Sequence, residues 1–280
     1  MSSSAGTLWA EMRAEASERS AREPVLASFY HANILNHGSL EAALACVLAV
    51  RLETGMLPAM LLRDVVDEAL RDDPLITVAV REDLLAHRTR DPACDSFVTA
   101  FLYYKGFHAL QAHRVAHWLW RRDRRWIAYM LQSRASTEFD VDIHPAAVLG
   151  KGIMVDHGTG IVIGETAVVG DNVSMLHGVT LGGSGCISAD RHPKVGAGVL
   201  LAAGSRVLGP VRVGDGARIG AGSLVLADVP AHATVLDVGR RAKHLLLSLS
   251  SGDTLLMHLG MTGDFRVEPR SADAGGAARL

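Results

Sequence analysis

The chain has 280 residues, 49% of them hydrophobic and 21% charged, and a formal net charge of -2. That balance excludes a disordered chain and gives no electrostatic reason to expect nucleic acid or an anionic membrane as partner. No apolar run reaches the length of a membrane span, and Met1-Ser2-Ser3-Ser4-Ala5 lacks the basic stretch and apolar core of a secretory signal. Cys46, Cys94 and Cys186, an odd number at unrelated spacings, predict free thiols in a reducing compartment, so the expectation is a cytoplasmic protein.

Residues from Leu8 to Gln132 read as helices. Leu40–Leu52 is rich in Ala and Leu with few breakers. Pro58 is placed in the first turn of the next helix, whose apolar face carries Leu61, Val65, Val66 and Ala69. Pro74 opens another helix, through Ile76, Val80 and Leu84. The string His87-Arg88-Thr89-Arg90-Asp91-Pro92-Ala93 reads as a polar connector, because Pro92 disfavours helical geometry at Asp91. Phe101 to Trp120 has an apolar face, Arg121 to Arg125 form a charged junction, and a last helix runs from Trp126 to about Ser136. The pair His113/His117 has the i, i+4 spacing of two metal ligands, but no third ligand completes a pattern, which favours packing histidines. The arginine cluster is too short to be a basic surface and reads as a solvated junction.

From Asp142 to about Pro230 the chain repeats with a period of six. Aliphatic heads recur at Ile143, Leu149 and Val155; at Ile163, Val169, Met175 and Leu181; and at Val195, Leu201, Val207, Val213, Ile219 and Val225. A hexad unit cannot bury its own apolar face and must stack on neighbours, which predicts a parallel β-helix. The phase slips twice, once through Asp156-His157-Gly158 and once through the stretch from Gly182 to Pro193. Solenoids carry such insertions as loops, often on the binding face. The expected architecture is therefore α+β: a helical assembly or capping domain over 1–139, a left-handed parallel β-helix over 140–234, and an atypical tail over 235–280.

Several strings resemble the serine O-acetyltransferases, hexapeptide-repeat enzymes that start cysteine synthesis. They are Arg88-Thr-Arg-Asp-Pro-Ala93, Tyr104-Lys-Gly-Phe-His-Ala-Leu-Gln111, Asp142-Ile-His-Pro-Ala-Ala147, the run Gly152 to Ala167, Val179-Thr-Leu-Gly-Gly183 and Asp190-Arg-His-Pro-Lys194. The resemblance covers about residues 8–234 and implies acetyl transfer from acetyl-CoA to L-serine. A serine hydroxyl is a poor nucleophile at neutral pH and needs a positioned base. His157 is the candidate, with Asp142 as its carboxylate partner. Backbone amides near Gly182 and Gly183 would meet the oxyanion. Arg191 and His192 would hold the substrate carboxylate, with His192 close enough to serve the reaction, and Asp91 and Asp156 would receive the ammonium group. Gly183, Ala203, Gly204, Arg218 and Ala221 are the positions expected against acetyl-CoA, a co-substrate, so no metal and no resident cofactor are implied. The resemblance further implies a homotrimer or dimer of trimers, sites shared between subunits, and inhibition by L-cysteine. His144 and His177 fall at regular repeat positions and read as structural.

Three other readings stay open. One is a hexapeptide acyltransferase acting on homoserine, a sugar or a xenobiotic. Another is a solenoid carbonic anhydrase, whose three zinc-binding histidines have a spacing not found among His144, His157, His177 and His192. The last is an inactive fusion product.

Two stretches depart from the family pattern. Gly185 to Asp190, with Cys186 and Ile187, replaces a Lys- and Gly-rich loop. Residues 235–267 instead resemble a fragment of the formamidopyrimidine-DNA glycosylases, with Gly239-Arg-Arg-Ala-Lys243 and His258-Leu-Gly-Met261. The catalytic N-terminal proline, adjoining Glu and zinc finger of those enzymes have no counterpart here, so Lys243 stands without companions and no glycosylase activity is expected. The tail reads as a β-hairpin turning at Ser251-Gly252-Asp253. Relatives dock a C-terminal end, typically finishing in Ile, into O-acetylserine sulfhydrylase, whereas this chain ends Ala278-Arg279-Leu280 after an unrelated segment. Mixing the two purified enzymes should give a weak complex or none; a tight stoichiometric complex on sedimentation would contradict this.

Overall fold

A computed structural model describes residues 5–183, 189–241, 244–249, 254–258 and 265–268. The helical part contains α1 (Ala5–Arg22), α2 (Ala27–Tyr30), α3 (Leu40–Leu52), α4 (Ala59–Asp72), α5 (Pro74–Arg90), α6 (Phe97–Tyr103), α7 (Lys105–Arg121) and α8 (Arg125–Phe139). Local chemistry sets several of these starts. Ser39 Oγ accepts from Ala42 N at 3.2 Å to cap α3, and Asp73 Oδ1 accepts from Leu75 N at 3.1 Å ahead of Pro74. Pro58 is the cap of α4, one residue outside the turn expected for it.

The sequence expectations need correction at two joints. The stretch from His87 to Arg90 is not a connector: α5 continues through it, because His87 lies on the buried side of the helix, and only Asp91 (φ −94°, ψ 110°) leaves helical geometry ahead of Pro92. The long segment from Phe101 to Trp120 is broken at Tyr104, which separates α6 from α7. The break aims α7 at the solenoid, where Gly106 comes so close that a Cβ there would stand 2.3 Å from the Val155 carbonyl oxygen. His108 Nε2 donates to the Phe101 carbonyl at 2.7 Å, satisfying a group at the end of α6. The arginine cluster is the α7–α8 junction, with ion pairs Arg122–Asp72, Arg124–Glu68 and Arg125–Asp123.

The repeats form a parallel solenoid of about four turns. Its first face is β1 (Val141–Ile143), β4 (Ile161–Ile163), β7 (Thr180–Gly182), β10 (Arg206–Leu208) and β13 (Leu224–Val225). The second is β2 (Val148–Leu149), β5 (Val168–Val169), β8 (Lys194–Val195) and β11 (Arg212–Val213). The third is β3 (Met154–Val155), β6 (Ser174–Met175), β9 (Leu200–Leu201) and β12 (Arg218–Ile219). Of the hexad heads, all are buried in the core except Leu149, which is half-buried against it. Register explains the phase slips. Val162 pairs with Thr180 and Arg206 with Leu224, 18 residues on, whereas Val141 pairs with Ile161 (20) and Thr180 with Arg206 (26). The two interruptions are therefore corner insertions of two and eight residues in coils that otherwise match.

The tail is more than a hairpin. β14 (Thr234–Arg241) pairs in parallel with β12, and β15 (His244–Leu249), β16 (Thr254–His258) and β17 (Phe265–Glu268) follow in antiparallel order, so the third face runs on without a break. The expected β15–β16 pairing is present, and its turn, Ser251 to Asp253, lies outside the described residues.

A buried ion pair joins the two parts. Arg114 on α7 donates through Nη2 and Nε to Asp83 Oδ2 at 2.7 and 3.0 Å, and Gln111 Nε2 adds a third bond at 3.0 Å. Asp83 Oδ1 accepts from Ile153 N at 2.9 Å, and Arg114 Nη2 also donates to the Gly150 carbonyl at 2.8 Å. Burial pushes the Asp83 carboxyl up, opposed by Arg114 and the other donors. Arg114→Ala would leave this carboxylate buried and under-paired, so urea denaturation should show a loss of about 3–5 kcal/mol; a loss below about 1 kcal/mol, as for a surface pair, would remove the joint from this role.

Candidate active site at a solenoid edge

The two-residue insertion forms the corner between the third and first faces. His157 sits there with φ +56°, followed by Gly158 at +75° and Gly160 at +72°. Along the same edge the equivalent corners carry His177-Gly178, Ala203-Gly204 and Ala221-Gly222. A Cβ on Gly178 would lie 3.3 Å from Gly204 Cα, so successive corners form a narrow backbone ladder. His177 meets His157 edge-on, with ring centroids 5.9 Å apart.

Beside this corner is a cleft of about 350 Å³ lined by Asp91, Tyr104, Lys105, Asp156, His157 and Thr159. The break at Asp91 and the break at Tyr104 bring the helical residues to it. Asp91 Oδ1 accepts from Ala93 N at 2.8 Å. Burial, followed by the charge of the neighbouring Asp91, pushes the ionisation of the Tyr104 hydroxyl well up, so it stays protonated. Three site residues expected from sequence, Asp91, Asp156 and His157, thus share one cleft.

Asp142 is placed otherwise than expected. It lies on β1, but its Oδ1 accepts from Gln132 Nε2 at 2.6 Å, and the carboxylate facing His157 Nε2 is Asp156, at 3.8 Å. The His157–Asp142 bond is not formed in this arrangement, because Gln132 of α8 holds the carboxylate while the His157 side chain, 73% exposed, extends from the corner.

The eight-residue insertion sits on a different edge, between the first and second faces. His192 is buried, its Nδ1 2.8 Å from Thr166 Oγ1 and 3.2 Å from Thr166 N. A donating Thr166 amide requires an unprotonated Nδ1, and burial followed by the Arg191 charge lowers the His192 pKa in the same direction. Arg191 Nη2 donates to Glu165 Oε2 at 2.6 Å and holds that carboxyl below its usual range. Gly183 lies against both Arg191 and His192. Cys186 and the rest of 184–188 lie outside the described residues.

The expected residues thus divide. Asp91, Asp156, His157, Ala203, Gly204 and Ala221 belong to one edge and its cleft, and Gly183, Arg191 and His192 to another. Arg218 projects from the third face into a shallow basin of about 580 Å³ that it shares with Arg90 and Asn172. Tyr104, Lys105, Glu165, Thr166 and Gln132 were assigned no role from sequence. The first four stand inside the strings that carry the family resemblance, which was their only signal. His144 packs between Trp120 and Tyr129, and His117 Nδ1 lies 2.8 Å from the Pro145 carbonyl, as packing histidines do.

Residues 8–112 match the family model "Serine acetyltransferase, N-terminal", and 192–227 match the six-repeat bacterial transferase hexapeptide model. The serine acetyltransferase of Salmonella typhimurium is 53% identical over 234 residues, 84% of this chain and 86% of the relative. The chain belongs to the serine acetyltransferase family. It is an acyltransferase on that ground. The solved serine acetyltransferase of Brucella abortus in complex with coenzyme A is 50% identical, with a TM-score of 0.82 over 84% of this chain and 94% of that one. The Neisseria gonorrhoeae enzyme in complex with serine is 49% identical, with a TM-score of 0.81 over 84% and 96%. Residues 211–279 also match the formamidopyrimidine-DNA glycosylase N-terminal domain. That match begins inside the solenoid, at β11, so a glycosylase-like sequence overlaps coils that are built as hexads. Among the described residues, no single helix is long and apolar enough to cross a membrane.

One feature of this acetyltransferase is sensitive to acid. Burial lowers the pKa of His87, behind Asp91 and edge-on to Tyr104, to about 4, and that of His108 to about 4. Both are near 6.5 in an unfolded chain. The folded state therefore binds fewer protons, its stability is complete above about pH 6.5, and it falls as the pH drops toward 4. Urea midpoints should decline across that window, and His87→Leu should flatten the slope; a midpoint independent of pH between 6.5 and 4.5 would contradict this.

Proposed function

We propose that this chain transfers the acetyl group of acetyl-CoA to the hydroxyl of L-serine, with His157 as general base, and that O-acetylserine so formed feeds cysteine synthesis in the cytoplasm. The observation that carries this reading is the cleft where Asp91 and Asp156 converge on His157: two carboxylates suited to an ammonium group, beside an accessible imidazole. Serine and coenzyme A are the ligands in the titles of the solved relatives.

In this mechanism the serine oxygen bonds to the thioester carbonyl carbon as its proton passes to His157. The oxyanion forms beside the amides near Gly182 and Gly183 and collapses with cleavage of the C–S bond. The imidazolium then returns its proton to the departing CoA sulfur. Asp142 takes the second imidazole nitrogen when the ring turns toward β1, displacing or sharing Gln132. CoA lies along the ladder of Ala203, Gly204 and Ala221, with Arg218 toward its phosphates. Arg191 and His192 hold the serine carboxylate. Because they occupy a different edge from His157, they come from a neighbouring copy in a trimer or dimer of trimers. No metal or resident cofactor enters the reaction.

Serine-dependent release of CoA, followed by thiol detection, tests the reading directly. His157→Ala should lower kcat by about 10²–10⁴-fold with the circular dichroism spectrum unchanged. A parent enzyme inactive with serine but active on another acceptor would overturn the substrate assignment. Co-expressed His157→Ala and His192→Ala chains should regain activity that neither has alone, since a mixed pair restores an intact site; no recovery in co-purified mixed oligomers would refute the shared edge.

A further inference from the structure

The eight-residue insertion returns to the solenoid through Arg191, His192 and Lys194, and one residue of the coil before it engages all three. Thr166 stands at the corner between β4 and β5, one coil ahead of the insertion between β7 and β8. Its Oγ1 accepts from the amides of Arg191 and His192, each at 3.1 Å, and lies 2.8 Å from His192 Nδ1. Its own amide donates to the same Nδ1 at 3.2 Å, and its carbonyl accepts from Lys194 Nζ. Lys194 Nζ also donates to Asp190 Oδ1 at 2.6 Å, which ties down the start of the return as well. A hydroxyl offers a single proton and two lone pairs. With both lone pairs taken by amides, the Thr166 hydroxyl meets Nδ1 as a donor.

These contacts fix the imidazole. The Thr166 N–H needs a lone pair on Nδ1, so the proton of the neutral ring sits on Nε2. Protonating Nδ1 as well would set that proton against the amide's. Of the charged groups around the ring, Arg191 and Lys194 act with burial to keep it neutral, and Glu165 opposes them. Nε2 lies over Gly164, where a Cβ would stand 2.0 Å from it, and faces Gly183, where one would stand 3.4 Å away. The ring therefore occupies space that only a glycine at 164 leaves. No described group takes the Nε2 proton. Arg191 is aligned beside it, its Nη2 held by Glu165 Oε2 at 2.6 Å and its Cγ against the same Gly183. His192 thus presents a donor: its Nε2 can hold a carboxylate oxygen but has no lone pair with which to take a proton.

We propose that Thr166 is a positioning residue of the serine carboxylate subsite: it locks His192 as an Nε2–H donor beside Arg191, so that His192 binds the carboxylate and accepts no proton during acetyl transfer. This rests on the assignment of Arg191 and His192 to that carboxylate. The carboxylate does not react, so its bonds are as strong in the bound substrate as in the transition state. Losing the lock then raises the KM for serine and leaves kcat unchanged.

Steady-state kinetics of the full chain test this. Thr166→Val, close in size but without the hydroxyl, should raise the KM for L-serine about tenfold, the value of one hydrogen bond to a charged group. Its kcat and its KM for acetyl-CoA should stay those of the parent, and Thr166→Ser should restore the KM for serine. Magic-angle-spinning ¹⁵N spectra of the histidine-labelled parent, with the His192 signal identified by its loss in His192→Gln, should show a neutral ring protonated at Nε2 at about pH 6.5, where a solvated histidine is half charged. A loss confined to kcat, a rise in both KM values, a Ser variant no better than Val, or a charged or Nδ1–H ring would overturn the proposal. Should Thr166→Val fail to fold, the parent's spectrum and Thr166→Ser still decide. A parent that releases no CoA with serine removes the carboxylate subsite and this proposal with it, whereas an Nδ1–H ring in an active parent removes this proposal alone.

Discussion

The Asp83 carboxylate, buried between α5, α7 and the first coil, accepts from Arg114, Gln111 and the Ile153 amide. A charge in that position is tolerated only when every oxygen is engaged, so the network fixes helices and solenoid at one distance and angle. The contact of Gly106 with Val155 depends on that distance, since no side chain fits between them. Arg90, near the end of α5, repeats the device lower down, donating to the carbonyls of Gly152 and Asn172 at 2.8 and 3.0 Å. Asp91 is the next residue. Asp91, which lines the cleft together with His157, is therefore placed by a helix that the solenoid itself grips.

The solenoid was legible in the sequence because its rule is local. A buried head every six residues survives any tertiary context, and twelve of the thirteen heads are buried as the period demands. The exception, Leu149, faces the groove beside α5 and α7. The helical joints were legible only in part, because they obey long-range contacts. Nothing local marks Tyr104 as a break; the cause is the docking of α7 on Val155. His87 looked polar and loop-like, yet it is buried among aromatic rings, a placement that tertiary packing imposes. Pro92 gave the turn at Asp91 correctly because proline restricts its predecessor in any context.

The sequence names candidate residues for the site but not how the fold brings them together. The phase slips pointed to His157 and His192, and the register shows why they are special: they are the corners where a coil departs from 18 residues. What the pattern does not reveal is which corner. Sequence treats the two insertions alike, whereas the fold puts one between the third and first faces and the other between the first and second. Asp142 illustrates a further limit. Its position on β1 follows from the repeat, but its partner Gln132 belongs to a helix whose docking no hexad predicts.

The exposure of His157 bears on the assembly. The base proposed for proton transfer beside a thioester would work better where water is excluded, yet the His157 side chain is 73% exposed in the single chain. The outer faces carry Val148, Val162 and Val168 at 47%, 41% and 36% exposure, on the second, first and second faces in turn. Apolar residues at outward positions of a solenoid gain from being covered by another surface. The tail extends the third face along the axis, through β14 to β17, and its pairing leaves the strands of the first and second faces as they are. The described strands of the tail thus add to the third face beyond the last coil, and none of them pairs with a strand of the first or second face, where Val148, Val162 and Val168 are exposed.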